Sequence, residues 1–278
     1  MVKEVLAKKW EVGAVHYAKG SSAVNEALWR KIIQEIIGAD LQQEVLDVGT
    51  GPGFLAIIAA ELGHRSTGLD LSQSMLAIAK EKAADRKLAC QFVQGDAESL
   101  PFKSDRFDFV MNRLNLWTLP NPGKGIHEWV RVLKPQGKLA VFVNDIKNPF
   151  EQTKELKDHD TQNIFTKEYF EAFQHLPFAR ALPSQVKALF EAAGLRDVTI
   201  QPIKDKRTYT PEHVRGFLQT NKIQEHEIDR ILNTIDDEES VKEILRKLNL
   251  GETVWKRNED NSEFVFIRHM AGVVGTKE

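Results

Sequence analysis

Apolar positions along the first half of the chain follow two alternating periods. In "SAVNEALWRKIIQEIIGAD", Leu28, Ile32, Ile33, Ile36 and Ile37 recur at spacings of one, three and four residues. That spacing lines one face of a helix, with Ser22 or Asn25 near its start and Gly38 as its stop. "EVLDVG" then reads as a strand, and "FLAIIAAELG" as a buried helix ending at Gly63. "RSTGLDL" is a short strand, followed by the helix "SQSMLAIAKEKAADR" with Ser72 in the N-cap position. "LACQFVQGD" and "RFDFVMNR" are two further strands. "PGKGIHEWVRVLKPQG" is a helix opened near Pro122 and closed by Pro135-Gln136-Gly137, and "KLAVFVND" is a fifth strand. Strand alternating with helix means parallel strands joined by right-handed crossover helices. The pattern predicts an α/β fold with a doubly wound sheet.

After Asp145 the alternation stops. The stretch "NPFEQTKELKDHDTQNIFTKEYFEAFQHLPFARALP" mixes polar and aromatic residues and predicts helices and loops. "SQVKALFEAAG" is a helix with a glycine stop, and "DVTIQPI" is a strand. "TPEHVRGFLQTN" opens a helix at Thr210-Pro211. Two more polar helices are expected through Leu248, and "SEFVFIRHMAGVV" is the last strand. The sheet is therefore expected to be mostly parallel with seven strands. One domain over 1–278 is expected: a helical cap at 1–40, a core at 41–145, and helical elaborations at 146–182 and 206–260. The charge runs "DDEES" and "KRNEDNSE" read as solvated surface.

Composition narrows the class. At 278 residues, 42% hydrophobic and 28% charged, the chain has the make-up of an ordinary globular protein rather than a disordered or membrane-embedded one. Its net charge of -2 gives no overall pull towards nucleic acid. Cys90 is the single cysteine, so an intramolecular disulfide is excluded and a reducing, cytoplasmic setting is expected. Cys90 itself reads as a core thiol. "MVKEVLAKKWEVGAVHY" lacks the features of a signal peptide. The eight histidines show no metal-ligand spacing, so no metal site is expected.

Chemistry enters at "EVLDVGTGPG", Glu44 to Gly53. A glycine turn after the first strand of such a sheet lies where ligands bind, outside the carboxyl ends of the strands. The helix that follows directs its first amides at the ligand. A dinucleotide site wants G-x-G-x-x-G. Here Gly49 and Gly51 match, but Phe54 stands in the third position. The spacing present is D-x-G-x-G-x-G: Asp47, Gly49, Gly51 and Gly53.

With these residues the sequence resembles the class I S-adenosylmethionine-dependent methyltransferases, whose sheet is Rossmann-like. "VLDVGTGPG" is similar to the family's glycine motif, "GLDLS" to the end of its second strand, and "QGDAESLPF" to its adenine-contacting motif. "FDFVMNRLNLWTLPNP...VRVLKPQGKLAVF" is similar to its fourth strand, following helix and fifth strand. "KKWEVGAVHY" resembles the W-x-x-x-A-x-x-Y segment of members related to ubiquinone and menaquinone biosynthesis methyltransferases. The resemblance spans Trp10 to Asp145, half the chain.

The resemblance implies S-adenosyl-L-methionine as cofactor and assigns candidate contacts. Asp70, 23 positions after Asp47, is suited to the two ribose hydroxyls or is a turn or N-cap aspartate, with Leu71 beside it. Asp96 is suited to the adenine amino group or is a turn aspartate, with the Ala97 backbone adjacent. Asp47 is placed to accept from turn amides or, through water, from the methionine ammonium. Gly49, Thr50, Gly51 and Gly53 form the turn. Asn112 and Arg113 end the fourth strand above the sulfonium; Arg113 is alternatively a surface ion-pair partner. Tyr17 closes over the methionine carboxylate or is a core tyrosine.

Methyl transfer from a sulfonium needs alignment first, and a base only where the acceptor must lose a proton. No catalytic triad is evident. His16 and Trp117 are the candidates at the methyl, while His127 reads as structural and His159, His175 and His213 as surface. Phe150, Phe165, Tyr169, Phe170, Phe173 and Phe178 suit an apolar acceptor pocket or the packing face of a lid. The expected function is methylation of a small molecule. An RNA or protein methyltransferase and a non-catalytic S-adenosylmethionine-binding protein remain as alternatives.

Overall fold

A computed structural model describes residues 2–20, 25–38, 42–145, 171–173, 175–178, 182–220, 224–234, 255–257 and 264–278. The N-terminal region is helical: α1 (Val2–Val12), α2 (Ala14–Gly20) and α3 (Glu26–Ile37). Asn25 caps α3 by accepting from the Leu28 amide, and Gly38 ends it at a φ of 96°. Then follow β1 (Glu44–Val48), α4 (Phe54–Glu61), β2 (Arg65–Asp70), α5 (Gln73–Asp85), β3 (Gln91–Gln94), β4 (Phe107–Arg113), α6 (Pro122–Val132) and β5 (Leu133–Asn144). Ser72 caps α5 through the Met75 amide, and Asn121 caps α6 through the Lys124 amide. The later elements are α7 (Pro183–Ala192), β6 (Leu195–Tyr209), α8 (Pro211–Thr220), α9 (Glu225–Thr234), β7 (Trp255–Arg257) and β8 (Phe264–Lys277).

The sheet runs β3-β2-β1-β4-β5-β8-β6. Neighbours from β3 to β5 pair in parallel, and β8 lies antiparallel between β5 and β6. This is the expected seven-strand sheet. The short β7 adds an eighth strand, pairing with β8 off the main path. Strand order reverses at β1 and β4, so the crevice for a ligand opens at their carboxyl ends.

Two apolar layers sandwich the sheet. One gathers Leu46, Val48, Val110, Trp129, Val141 and Phe190 beneath α6 and α7. The other gathers Trp29, Ile33, Val45, Leu55, Phe142 and Met270 beneath α3 and α4. Trp29 is fully buried and packs edge-on to Phe142, with ring centroids 5.0 Å apart. A smaller third cluster, with Leu6, Ala14, Met75, Phe173 and Leu176, carries α1. Among the described residues, no helix is long and apolar enough to cross a membrane.

Candidate functional site

The turn after β1 is fixed from below by Asp47, whose carboxylate is buried. It accepts from the Thr50 hydroxyl at 2.7 Å and from the Ala56 amide at 3.1 Å. Burial pushes this carboxyl up to about 7, against the pull of those two hydrogen bonds. Asn112, also fully buried, ties β4 to the same turn: its amide donates to the Val48 carbonyl at 2.8 Å and its oxygen accepts from the Leu116 amide.

Gly49, Gly51 and Gly53 all have positive φ, at 67°, 53° and 85°. A Cβ on Gly49 would collide with the Asn115 side chain, and one on Gly53 with Ala79. A Cβ on Gly51 would meet nothing within 4 Å, so that position faces open space where a ligand can approach backbone. Phe54, the residue that disfavours a dinucleotide turn, starts α4 and packs against Trp29.

Asp70 ends β2 and reaches back to the turn. One oxygen accepts from the Gly51 amide at 2.8 Å and the other from the Ser72 amide at 2.9 Å. Burial raises its pKa, although these amides favour the charged form. Asp96 follows β3; one oxygen accepts from the Glu98 amide at 2.9 Å and the other from the Lys3 ammonium. Lys3 also donates to Glu98 at 2.9 Å. The Ala97 carbonyl accepts from the Trp129 indole N–H at 2.8 Å.

These groups surround one cavity of about 110 Å³ at the strand tips. Of the sequence candidates, Tyr17, Gly49, Gly51, Asp70, Leu71, Asp96, Ala97 and Arg113 line it. A second cavity of about 400 Å³ lies against the same glycine turn, sharing Tyr17, Gly49, Gly51 and Arg113. It adds Asp47, Thr50, Phe54 and Ile57. Asn112 and Gly53 line neither cavity; they hold the turn from behind. The Arg113 guanidinium lies over the rings of Trp29 and Phe54, 4.6 and 5.1 Å from their centroids.

The two candidates at the methyl fare differently. Trp117 donates from its indole nitrogen to the Leu114 carbonyl and stacks edge-on against Phe173 at 5.6 Å, within the α1 cluster. His16 sits on α2 by its backbone, and its side chain lies outside the described residues, as does that of His213. Phe150, His159, Phe165, Tyr169 and Phe170 also lie outside them. His127 binds the Gly123 carbonyl at 2.8 Å on the exposed side of α6, and His175 is exposed. Cys90 is half-buried, and burial pushes its thiol up to about 11. Among the described residues, no group of His, Cys, Asp and Glu is arranged to hold a metal ion.

Sequence reasoning missed the wall contributed by α1. Lys3, Leu6, Ala7 and Trp10 fall on one helical face and line the first cavity. Their three- and four-residue spacing was visible, but nothing local showed that this face meets the strand tips.

Comparison with known proteins agrees with this geometry. The family model described as a methyltransferase domain matches residues 46–141. A demethylmenaquinone methyltransferase of Renibacterium salmoninarum is 37% identical over 113 residues, covering 41% of this chain and 46% of the relative. The chain thus spans about half the length of that relative. A demethylmenaquinone methyltransferase of Staphylococcus epidermidis is 30% identical over 187 residues, covering 63% of this chain and 76% of the relative. Among solved structures, phosphoethanolamine N-methyltransferase 2 of Haemonchus contortus in complex with S-adenosyl-L-methionine has a TM-score of 0.54. It is 22% identical and covers 90% of this chain and 52% of that one; at that identity it supports the fold alone. The glycine turn, the two carboxylates at the strand tips and the relative matched over three quarters of its length lead to one assignment: the chain belongs to the class I S-adenosylmethionine-dependent methyltransferase family.

Proposed function

We propose that the protein transfers the methyl group of S-adenosyl-L-methionine to a small-molecule acceptor. The observation that carries this reading is the meeting of Gly49, Gly51, Asp70 and Asp96 around one cavity at the carboxyl ends of the first three strands. The residues fit the nucleoside: the open space at Gly51 admits a ligand against backbone, and each Asp70 oxygen, already taking one amide, keeps a lone pair for a ribose hydroxyl. Asp96 and the Ala97 backbone face the purine. Tyr17 and Arg113, common to both cavities, lie where the methionine end meets the acceptor.

When bound, S-adenosylmethionine supplies a methyl already activated on a positive sulfur. The chain's part is to hold it in line with the nucleophile, an effect worth on the order of 7–11 kcal/mol when geometry is good. Where the acceptor must lose a proton, Asp47 and Tyr17 are the described cavity-lining groups able to take it. The second cavity pairs an apolar α4 side, Phe54, Leu55, Ile57 and Ile58, with a charged side that includes Glu26, Lys82, Asp85 and Arg86, so it suits an acceptor with an apolar body and a polar end. That agrees with the quinone-type substrate in the relatives' names. The chain is read as one domain, with α1 and α2 as the cap and 146–182 and 206–260, apart from the sheet strands β6 and β7, as acceptor-side additions; α3, although within residues 1–40, belongs to the layer packed on the sheet.

Calorimetry of the pure protein with S-adenosylhomocysteine should show binding; absence of heat at high micromolar ligand would remove the proposal. Incubation with methyl-labelled S-adenosylmethionine and a metabolite extract should then move label into a low-mass product. Label remaining in the nucleoside would point to a binding protein without turnover.

A further inference from the structure

We propose that helix α1 is a latched lid on the nucleoside site, held at the purine end by Lys3 and at the sugar end by Glu11; this rests on the S-adenosylmethionine reading. At the purine end, Lys3 bridges Asp96 and Glu98. With the Glu98 amide on its other oxygen, each Asp96 oxygen holds one donor, so an incoming purine amine takes a remaining lone pair beside the lysine or displaces it. At the sugar end, Glu11 accepts from the Ser72 hydroxyl at 2.6 Å, the Ser74 hydroxyl at 2.6 Å and the Ser74 amide at 3.1 Å. Ser72 is also the residue whose amide holds Asp70. The two ends of α1 are thus fastened beside the two carboxylates that the nucleoside needs.

Volume supports the same conclusion. The cavity left beneath α1, about 110 Å³, is well below the roughly 300 Å³ at which small-molecule sites begin. Leu6 and Trp10 form the wall that limits it. Full seating of the nucleoside therefore draws either on the second cavity, which adjoins this one at Tyr17, Gly49, Gly51 and Arg113, or on an outward movement of α1. The fold makes that movement inexpensive, because α1 rests on the satellite cluster around Leu6, Met75 and Phe173 and not on either main layer. The Lys3–Asp96 pair is about one-third exposed on both sides, so it contributes little to stability and can be exchanged for a ligand contact.

Two measurements on the full chain and on Lys3→Met and Glu11→Gln test the lid. The first is limited trypsin cleavage at Lys8 and Lys9 without ligand. The second is stopped-flow binding of S-adenosylhomocysteine followed by tryptophan fluorescence, with Trp10 as reporter. Lys3→Met should be cleaved about two- to fivefold faster, the range of a lost exposed ion pair, and Glu11→Gln, which weakens the charge-assisted hydrogen bonds from Ser72 and Ser74, at least as much faster. Association and dissociation of the nucleoside should quicken by a similar factor. If the nucleoside binds but cleavage and rate constants are unchanged in both variants, α1 is a fixed wall and the lid is overturned. Faster cleavage in both variants with no nucleoside binding to any of the proteins would support a latched helix and remove the nucleoside reading instead.

Discussion

The Gly51 amide donates to Asp70 Oδ2 across 2.8 Å, joining the turn after β1 to the tip of β2. The two residues lie 19 positions apart, and the parallel register that sets Val48 beside Leu69 brings them together. Asp70→Ala should therefore act on binding before it acts on fold. Loss of hydrogen bonds to a charged acceptor predicts affinity for S-adenosylhomocysteine weaker by about 1.5–3 kcal/mol, roughly 10- to 150-fold. Calorimetry gives the affinity, and a thermal melt checks that the sheet survives. Unchanged affinity would take Asp70 out of the site.

The three glycines of the turn should separate by experiment. Gly51→Ala meets no neighbour and should cost only the left-handed backbone penalty, about 1–2 kcal/mol, while placing a methyl group in the ligand's space. Gly53→Ala has the same kind of penalty, and its Cβ would stand 2.9 Å from the Ala79 Cβ, adding about 1–3 kcal/mol of overpacking. In urea titrations Gly53→Ala should be the less stable variant. In calorimetry Gly51→Ala should lose affinity out of proportion to its stability. The reverse order in both would mean that the ligand does not approach Gly51.

Asn112 should prove structural rather than ligand-binding. Asn112→Ala removes a donor from the Val48 carbonyl and the acceptor of the Leu116 amide, at about 1–3 kcal/mol for a buried group left without a partner. A matching fall in the urea midpoint is expected, with nucleoside affinity in the surviving folded protein within about threefold of wild type, close to 0.6 kcal/mol. A large loss of affinity at full stability would return Asn112 to the contact list.

What the sequence revealed follows from the range of the interactions. Strands such as β1 and β4 and helices such as α5 were legible because burial on one or both faces writes a local period, and Ser72 and Asn25 mark caps within three residues of the amides they hold. The glycine turn was legible because positive φ restricts residue type. Lys3 was not, since its partner Asp96 is 93 residues away. Trp29, one of the largest fully buried side chains, was passed over beside a stronger isoleucine repeat. The apolar pattern marks β6 only over "DVTIQPI", whereas the strand continues to Tyr209, because the charged run "KDKRTY" carries no apolar signal and is held in register by β8. The three residues of β7 are too few to show any period.

A pH-dependent term in stability should come from His64, which is buried, with Nδ1 lacking a hydrogen-bond partner among the described residues. Burial lowers its pKa below the ordinary histidine value of 6.5, so the folded protein resists a proton that the unfolded chain accepts. By linkage, its contribution is full above pH ~6.5 and is lost as pH falls through the ordinary histidine range towards the lowered folded value. Asp47 works in the opposite sense, since its raised pKa favours the folded state most at low pH and less as pH rises from about 4 to about 7. Comparing wild type with His64→Gln cancels the Asp47 term, because both proteins carry it. Urea midpoints measured from about pH 8 to about pH 5 should fall more steeply for wild type than for His64→Gln, with the two curves diverging only below pH ~6.5. Parallel curves over that range would mean that His64 takes up its proton in the folded protein as readily as in the unfolded chain.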